Sequence, residues 1–323
     1  MSERPRVLLV GAGAVGQVFG HYLRSAGCDL AFFVKDKYAE EARGGYTLYD
    51  LGRRPPEPET LSGFGVRVST REVAQEHWDQ VWLCVSSTAL RESNGWGELA
   101  QATGEATWVM LQPALDDREW LLRWIPAERL VSGMIPFLSF HAPLKPGESY
   151  PRPGTAFWFP PLAQGLFSGP PERLAAVLQT LRAGRYPARR TPDVTRAVAP
   201  ASAVLTVAVA GLEAVGWSFE RFLQHDSLKR VVGASREAVQ IAAWRTQAST
   251  LPVLPLLHPT LLKLLLPVAS RVVPMDLETY LQVHFTKVRA QTRQMMRTYV
   301  ELGRSAGLPV ESLQALPGGS EGP

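Results

Sequence analysis

The 323-residue sequence predicts an α/β fold, a doubly wound parallel sheet followed by an all-helical domain. Apolar runs of strand type alternate with helical patterns over the first 190 residues, which is typical of a parallel sheet covered by helices. A glycine-rich turn directly follows the first of these runs. Beyond residue 190 no segment has the pattern of a strand, so a separate helical domain is expected there.

Composition limits the class of protein. Hydrophobic residues make up 46% and charged residues 20% of the chain, as in ordinary soluble globular proteins. The net charge of +4 comes from scattered lysines and arginines, which does not indicate a nucleic-acid partner. Cys28 and Cys84 stand in apolar contexts that favour buried thiols over a disulfide or a metal site, and we expect a reducing cytoplasm.

No targeting or membrane segment is predicted. The first strand begins without a preceding apolar signal region. The longest uncharged apolar stretches, 197–212 and 251–262, contain proline and are shorter than a spanning helix.

The glycine-rich turn has the spacing G-x-G-x-x-G between a strand (7–10) and a helical pattern (17–26). In that context it predicts a Rossmann-type dinucleotide site rather than a merely structural turn. Gly11 would permit the tight turn, Gly13 the approach of a pyrophosphate, and Gly16 the packing of helix on strand. The first-turn amides, at Ala14 and Val15, would bind the phosphates.

The end of the second strand (30–34) selects between the two nicotinamide cofactors. A cation there accommodates the 2′-phosphate of NADP, whereas an acid binds the ribose hydroxyl of NAD. Lys35 is the first residue after the strand, which favours NADP, but Asp36 follows it and keeps NAD open. A plain solvated loop is the remaining interpretation.

The rest of the first domain continues the alternation of strands and helices. The predicted segments are a hairpin-like excursion at 46–71, strands at 80–85, 107–111 and 130–134, short strands at 157–159, 165–168 and 188–190, and a helix at 171–183. The carboxyl ends of parallel strands share one edge, so the loops 11–16, 85–88 and 112–114 should meet there. Val85, Ser86 and Gln112 therefore join the candidates for cofactor binding.

Domain boundaries follow from proline and composition. The Thr-Pro step at 191–192 ends a dinucleotide domain at 1–190 and begins a helical domain at 191–316 for substrate binding or dimerisation. The predicted helices are 196–217, 219–223, 227–246, 255–266 and 277–306. The Gly-, Ser- and Pro-rich tail 317–323 is expected to be disordered.

The chain resembles the ketopantoate reductase (2-dehydropantoate 2-reductase) family along essentially its whole length. The resemblance lies in the glycine turn, in Lys35 where the family usually has an arginine, and in the ending 303–309, which is similar to the family's Gly-x-x-x-Gly-hydrophobic-Pro. It implies an NADPH-dependent reductase of a 2-oxo acid. The helical domain would be of the 6-phosphogluconate dehydrogenase C-terminal type.

The residues that match the family's catalytic positions depart from its pattern. Gln112 matches, but Pro113 stands where the family has an asparagine near the substrate, and Ser86 stands where it has a lysine. Arg196 replaces the lysine taken as the general acid, with Pro200 and Val204 in place of asparagines. Thr279 and Gln291 stand for the family's substrate-binding serine and glutamate. The chain thus resembles a divergent member.

Two residues are candidates for the chemistry of hydride transfer. Arg196 can stabilise a developing alkoxide but cannot readily release a proton, and an interdomain salt bridge is its alternative role. His141, just past the fifth predicted strand, can donate a proton, although a lone loop histidine is more often structural or exposed. A pair of His284 and Gln291 facing the cleft competes with a polar surface stripe, and the histidine spacings indicate no metal site.

The sequence therefore predicts an NADP-dependent oxidoreductase acting on a carbonyl or imine in the interdomain cleft, not on ketopantoate itself. The alternative is a cofactor-binding protein that has lost catalysis and acts as a sensor or scaffold. The apolar stretch 251–268 predicts core, a homodimer interface or an apolar substrate pocket. Neither nucleic acid nor membrane is an expected partner.

Overall fold

A computed structural model describes residues 4–251 and 253–320. The chain forms two compact units. The first comprises Met1–Gln112 and Asp116–Val194, and the second comprises Pro113–Leu115 and Thr195–Pro323. The division thus falls four residues beyond the predicted one, and a short loop segment is grouped with the second unit.

All strands of the described residues belong to the first unit. They are β1 Arg6–Val10, β2 Asp29–Phe33, β3 Tyr46–Asp50, β4 Pro58–Leu61, β5 Gly65–Arg67, β6 Gln80–Leu83, β7 Thr107–Met110, β8 Leu130–Gly133, β9 Leu138–Ala142, β10 Gly154–Trp158, β11 Gly165–Ser168 and β12 Ala188–Arg190.

Eight of these strands form the main sheet, in the order β12-β11-β8-β7-β6-β1-β2-β5. The six from β8 to β5 are mutually parallel, as the alternation of elements predicts. The expectation of an all-parallel sheet is wrong at one edge. There β11 pairs antiparallel with β8, and β12 follows β11 in the reversed direction, so the sheet is mixed. The fold class, a doubly wound sheet with a helical second region, is confirmed.

Both faces of the main sheet are buried, and the alternation of side chains explains how. Val7 and Leu9 of β1 enter one hydrophobic core with Phe32 of β2. Leu8 and Val10, which point the other way, enter a second core with Trp108 of β7. Strands buried on both faces read as continuous apolar runs, which is why the sequence reveals them so clearly.

A second sheet of four strands, in the order β4-β3-β10-β9, lies in the same unit. β3 and β4 form the predicted hairpin. β10 pairs antiparallel with the nearby β9 and in parallel with β3, which lies about a hundred residues earlier in the sequence.

The helices of the first unit are short apart from two. They are α1 Ala14–Ser25, α2 Ala39–Arg43, α3 Thr70–Val73, α4 Ser87–Glu92, α5 Trp96–Ala102, α6 Asp117–Leu121 and α7 Pro171–Ala183. The second unit is helical, as predicted. Its helices are α8 Val194–Ala214, α9 Phe219–Phe222, α10 His225–Thr246, α11 Pro259–Val272, α12 Leu277–Lys287, α13 Arg289–Ala306 and α14 Glu311–Gln314.

Two helix predictions in the second unit need correction. The helix expected from residue 255 begins only at Pro259, because the His258 ring accepts a hydrogen bond from the Thr260 amide (3.2 Å) and caps a new helix with proline at its first position. The long helix expected over 277–306 is divided at Val288, whose carbonyl receives the Gln291 amide at 2.9 Å.

The predicted tail and the apolar helix also differ from expectation. Residues 317–320 form a turn in which the Gly319 amide donates to the Leu316 carbonyl (3.0 Å), so they are ordered, and the rest of the tail lies outside the described residues. α8 has 21 residues, extends beyond the apolar stretch 197–212 at both ends, and ends three residues before the predicted helix 196–217. It is the one described helix long and apolar enough to cross a membrane, and half of its apolar window is buried within the protein.

Candidate functional site

The candidate site lies where the connections of the main sheet reverse direction. From β1 the chain proceeds to β2 and β5 on one side, and from β6 to β7 and β8 on the other. β1 and β6 are neighbours, so the loops after them diverge and leave a crevice at the carboxyl edge. In open α/β sheets this switch point is where ligands bind.

The glycine turn is built into that edge by close packing. A Cβ on Gly11, whose φ is +97°, would lie 3.0 Å from Val85 Cγ1, and a Cβ on Gly16 would lie 2.2 Å from the Gly11 carbonyl oxygen. The Gly11 amide donates to the Phe33 carbonyl of β2 at 3.0 Å. Gly11 and Gly16 are therefore required by the fold of the turn itself.

Gly13 differs from the other two glycines. It is exposed, it is the N-cap of α1, and a Cβ there would meet no atom within 4 Å. The backbone amides of the first helical turn, at Ala14 and Val15, lack intrahelical acceptors and stand at the positive end of a 12-residue helix. The free space over Gly13 and these donors together suit an anionic group such as a pyrophosphate.

Lys35 follows β2 at the same edge of the sheet. It is exposed and caps a 3₁₀ turn at Asp36–Tyr38. Across the described chain its ammonium makes no ion pair or hydrogen bond, whereas the Lys37 ammonium lies 4.8 Å from the centroid of the Tyr38 ring. Asp36 is also exposed, so both residues weighed for the choice of cofactor face solvent.

Gln112 joins two of the three predicted loops. Its side-chain amide donates to the carbonyls of Leu83 (2.9 Å) and Val85 (2.7 Å), and its carbonyl oxygen accepts the Leu111 amide (3.1 Å). The structure therefore brings the turn at Gly11, the loop at Val85 and Gln112 together, as predicted. The Gln112 side chain thus fixes the loop after β6 by binding backbone carbonyls of that loop.

Ser86 and the neighbouring cysteine have local roles. The Ser86 hydroxyl accepts the Ala89 amide at 3.1 Å and contacts the Thr88 hydroxyl at 2.9 Å, which caps α4. Burial raises the pKa of the Cys84 thiol, so this residue beside the glycine turn stays protonated and is no nucleophile.

Sequence reasoning missed a buried polar network beside this edge. The Ser87 hydroxyl donates to Asp117 at 2.7 Å, and Arg91 pairs with both Asp117 and Asp116. Asp117 is fully buried. The network ties the start of α4, after β6, to the start of α6, after β7. An Asp-Asp pair after a strand was the available signal, but its partners are 26 and 30 residues away.

His141 lies on a strand instead of a loop after β8. It is exposed on β9, in the small sheet, directly opposite Thr155 of β10. The Thr155 hydroxyl donates to the Gln17 side-chain oxygen (2.7 Å), and Gln17 in turn donates to the Ala12 carbonyl (2.8 Å) within the glycine turn. Gln17 and Thr155, which the sequence did not single out, connect the small sheet to the turn.

The remaining candidates are grouped with the second unit. Arg196 is exposed in the first turn of α8, and Pro200 stands inside the same helix. Pro113 is exposed in the loop after β7, Thr279 is half-buried in the first turn of α12, and Gln291 is half-buried in the first turn of α13. The Thr279 amide is taken by the capping carboxylate of Asp276 at 2.7 Å.

His284, weighed as a partner of Gln291, stands on α12. Its ring stacks on Tyr280 with a centroid distance of 5.4 Å and an interplanar angle of 25°. Burial, assisted by Lys287, lowers the pKa of His284 to about 4, so the ring is neutral at pH 7. Within residues 4–251 and 253–320 no group of three or more His, Cys, Asp or Glu residues is arranged to hold a metal.

The first unit, with its switch point, glycine turn and helix N-terminus, defines a dinucleotide-binding α/β protein. Comparison of sequences then adds a family likeness. Residues 7–164 match the sequence model of the ketopantoate reductase PanE/ApbA family. This likeness indicates an oxidoreductase. No curated protein matches the chain.

Solved structures with this fold include several reductases and a dehydrogenase. The 2-dehydropantoate 2-reductase of Geobacter metallireducens GS-15 shares 20% identity, covers 97% of each chain and has a TM-score of 0.70. A D-mandelate dehydrogenase, solved with NADH and anilino(oxo)acetate, shares 12% identity over 96% of this chain and 95% of its own, with a TM-score of 0.67. A dimeric ketopantoate reductase from Staphylococcus aureus shares 11% identity with the same two coverages and a TM-score of 0.64. At these identities the likeness establishes the fold.

Proposed function

We propose that the protein is an NADP-dependent oxidoreductase that transfers a hydride between NADPH and a carbonyl or imine substrate. The observation that carries the proposal is the exposed glycine turn at the switch point, with open space over Gly13. Ala14 and Val15 would donate their amides to the pyrophosphate. The ammonium of Lys35 would bind the 2′-phosphate.

The residues near the reacting end of the cofactor would bind the cofactor and the substrate and orient them. NADPH, when bound, supplies the hydride. Val85 and Ser86 would border the cofactor through the loop that Gln112 fixes. Arg196 would stabilise negative charge developing on the substrate oxygen, and His141 is the proposed proton donor. Thr279 and Gln291 would contact the substrate through their polar side chains.

The proposed substrate differs from ketopantoate. Pro113 offers no side-chain hydrogen bond where the family resemblance places an asparagine, and the Arg196 guanidinium does not readily release a proton as a lysine ammonium can. The D-mandelate dehydrogenase was solved with anilino(oxo)acetate, a carboxylate with an adjacent amide carbonyl and an apolar ring, so one protein of this fold binds a carboxylate with an apolar substituent. A 2-oxo acid or related carbonyl compound with an apolar substituent is the class to test first.

The test is a titration with NADPH and NADH, followed by turnover on a panel of 2-oxo acids, 2-oxo amides and cyclic imines that includes ketopantoate. We expect tight NADPH binding, no activity on ketopantoate and activity on at least one apolar member. Failure to bind either nucleotide would refute the proposal.

The same experiment distinguishes the proposed oxidoreductase from the alternative function. Binding of NADPH without turnover on any member of the panel would favour a degenerate cofactor-binding sensor or scaffold. The substitutions at Pro113, Pro200 and Gln291 are the observations that motivate this alternative. The turnover of Arg196→Ala then reports on the proposed polariser: nucleotide affinity should be unchanged and turnover lost, and unchanged turnover would remove Arg196 from the mechanism.

We further propose a cytoplasmic homodimer formed through the second unit. α11 has no fully buried residue, and its exposed apolar side chains include Leu264 (65%), Leu265 (47%), Val268 (47%) and Val272 (52%). A cluster of exposed large apolar side chains on one helix is uncommon on a monomer. The reductase of S. aureus that shares the fold is dimeric, which supports a second copy as the partner.

A further inference from the structure

An open groove of about 650 Å³ lies in the first unit beside α7, apart from the residues of the proposed cofactor site. Its helix side is one stripe of α7 from Pro171 through Leu174 and Leu178 to Arg182. Its other side includes Arg190, the last residue of β12. Leu174 and Leu178 are only 1% and 5% exposed, so they form an apolar floor.

The groove borders an open edge of the main sheet, since β12 is its terminal strand. The residues on either side of β12, Pro187 and Thr191, bond to β11. The Gly165 amide donates to the Pro187 carbonyl, and the Thr191 amide donates to the Phe167 carbonyl, both at 2.8 Å. Backbone groups of alternate residues point to opposite sides of a strand. Those of Arg190 therefore point to the open edge, where no described strand pairs with β12.

The surface around this edge is strongly cationic. Arg182, Arg185, Arg189 and Arg190 fall within nine residues and are all exposed. In the described part of the protein none of the four forms an ion pair. Unpaired guanidinium groups are donors suited to carboxylates, which they bind through two parallel hydrogen bonds.

We propose that this groove binds an extended acidic peptide segment of a partner protein, which adds to β12 as a further strand. Addition to an exposed strand edge is an established mode of peptide recognition, in which the backbone gives affinity and alternate side chains give specificity. α7 has 13 residues and spans about 18 Å, enough for five or six extended residues at ~3.3 Å each.

The positions of the arginines predict the sequence pattern of the peptide. α7 connects the parallel strands β11 and β12 and so runs opposite to them, which places Arg182 beside Ala188, whose carbonyl oxygen its Nε approaches at 3.4 Å. Arg190 stands at the other end of β12. Alternate residues of the peptide should face α7. These residues should be an acid, then an apolar residue over Leu174 and Leu178, then a second acid. The intervening residues face Arg189 and are acidic as well.

A small anion fits the groove less well than a peptide. An inorganic phosphate would use the guanidinium groups but neither the open backbone edge nor the apolar floor. The probe that uses all three is the pentapeptide Glu-Glu-Val-Glu-Glu, acetylated, amidated and joined to fluorescein through a flexible spacer.

The experiment measures fluorescence anisotropy of this probe with the full-length protein, with and without NADPH. We expect saturable binding that weakens with salt and is independent of NADPH. Arg182→Glu/Arg190→Glu should weaken it at least tenfold. The control Arg123→Glu, an exposed arginine in the loop after α6, should leave it unchanged. Thermal unfolding of each variant verifies the fold.

A second probe with the three central peptide nitrogens methylated retains every charge and loses the backbone donors. It should bind at least tenfold more weakly. Equal binding of both probes would overturn strand addition, and displacement of the probe by pyrophosphate at equal concentration would reassign the groove to small anions. Absence of saturable binding would overturn the proposal. The arginines would then only protect the sheet edge from aggregation. The proposed oxidoreductase activity would be unaffected by this result.

Discussion

At the scale of single residues, the three glycines of the turn divide by what surrounds them. Gly16 packs against the turn, because an added Cβ would lie 2.2 Å from the Gly11 carbonyl oxygen, whereas a Cβ on Gly13 would project into free space. Their motif is the same, but their physical roles are distinct: one is needed to fold the turn and the other to let a ligand approach.

Gly13→Ala and Gly16→Ala form a matched pair that tests this distinction. Gly16→Ala should destabilise the protein by ~3 kcal/mol, since the turn must move to relieve the clash. Gly13→Ala has an ordinary extended backbone and should cost less than about 1 kcal/mol, mostly as a poorer helix cap. Its NADPH affinity should nevertheless fall at least tenfold. Thermal unfolding and nucleotide titration check the two effects. Unchanged nucleotide affinity in Gly13→Ala would contradict a phosphate site over this residue.

Lys35 provides a second prediction at this scale. Lys35→Asp should weaken NADPH by ~10- to 100-fold, the range expected for losing one charged hydrogen bond, and should leave NADH almost unaffected. Lys37→Asp is the matched control, because the Lys37 ammonium lies over the Tyr38 ring and carries the same charge. Equal losses for both cofactors, or equal effects of the two substitutions, would rule out a phosphate contact at Lys35.

At the scale of elements, sequence patterns predict the main sheet well and the small sheet poorly. Strands buried on both faces, such as β1 and β6, are continuous apolar runs that need no partner to be recognised. The pairing of β10 with β3 joins residues about a hundred positions apart, and nothing in either segment specifies the other. His141 was accordingly expected in a loop and lies on β9.

The candidate site shows the same division. The glycine turn and the loops after β6 and β7 are predictable, because strand ends of a parallel sheet must share an edge. The contacts that hold those loops are not: Gln112 uses its side chain on two carbonyls, and Asp117 pairs with residues 26 and 30 positions earlier. Such contacts depend on side-chain direction, which the periodicity of a sequence does not encode.

The buried Asp117 network should stabilise the link between α4 and α6. Asp117→Ala would remove the buried carboxylate that accepts from Ser87 and pairs with Arg91, which keeps Asp116, and leaving buried donors unsatisfied costs about 1–3 kcal/mol. A urea unfolding curve measures the loss. Arg118→Ala, at an exposed charged residue on the same helix, is the control and should change stability by less than about 0.5 kcal/mol. Similar losses in the free energy of unfolding for the two variants would show that the network contributes little to stability.

α12 carries a pH-dependent element in His284. Its pKa is lowered to about 4 in the folded protein by burial, from 6.5 for the free side chain. As pH falls from 7 towards 4, the unfolded state therefore binds a proton that the folded state does not, and stability decreases. At pH 5 the loss amounts to about 2 kcal/mol. His284→Phe retains an aromatic ring beside Tyr280 and should reduce the difference in unfolding free energy between pH 7.5 and 5 by this amount. An unchanged difference would place the acid sensitivity elsewhere.

At the scale of the whole molecule, the distribution of exposed apolar surface is uneven. Several strongly exposed large apolar side chains lie between the end of α10 and the end of α11, including Leu251 (77%) and Leu256 (54%). No acidic residue occurs from 238 to 275, a stretch that contains all of α11. The charged residues of α11 are Lys263 and Arg271, and its exposed apolar side chains would leave water if a second copy covered them, which is favourable.

The homodimer proposal therefore makes a prediction about assembly. The wild-type protein should sediment as a dimer at micromolar concentration, and Leu264→Glu/Val268→Glu should sediment as a monomer, because two carboxylates per chain would be buried without partners. Leu162→Glu is the matched control, since Leu162 is 99% exposed on the first unit and should be uninvolved. A wild-type monomer, or a dimer that survives the double substitution, would exclude this face as the interface. Because neither position belongs to the proposed cofactor site, NADPH affinity should be retained in the monomer, which separates failure of assembly from failure of folding.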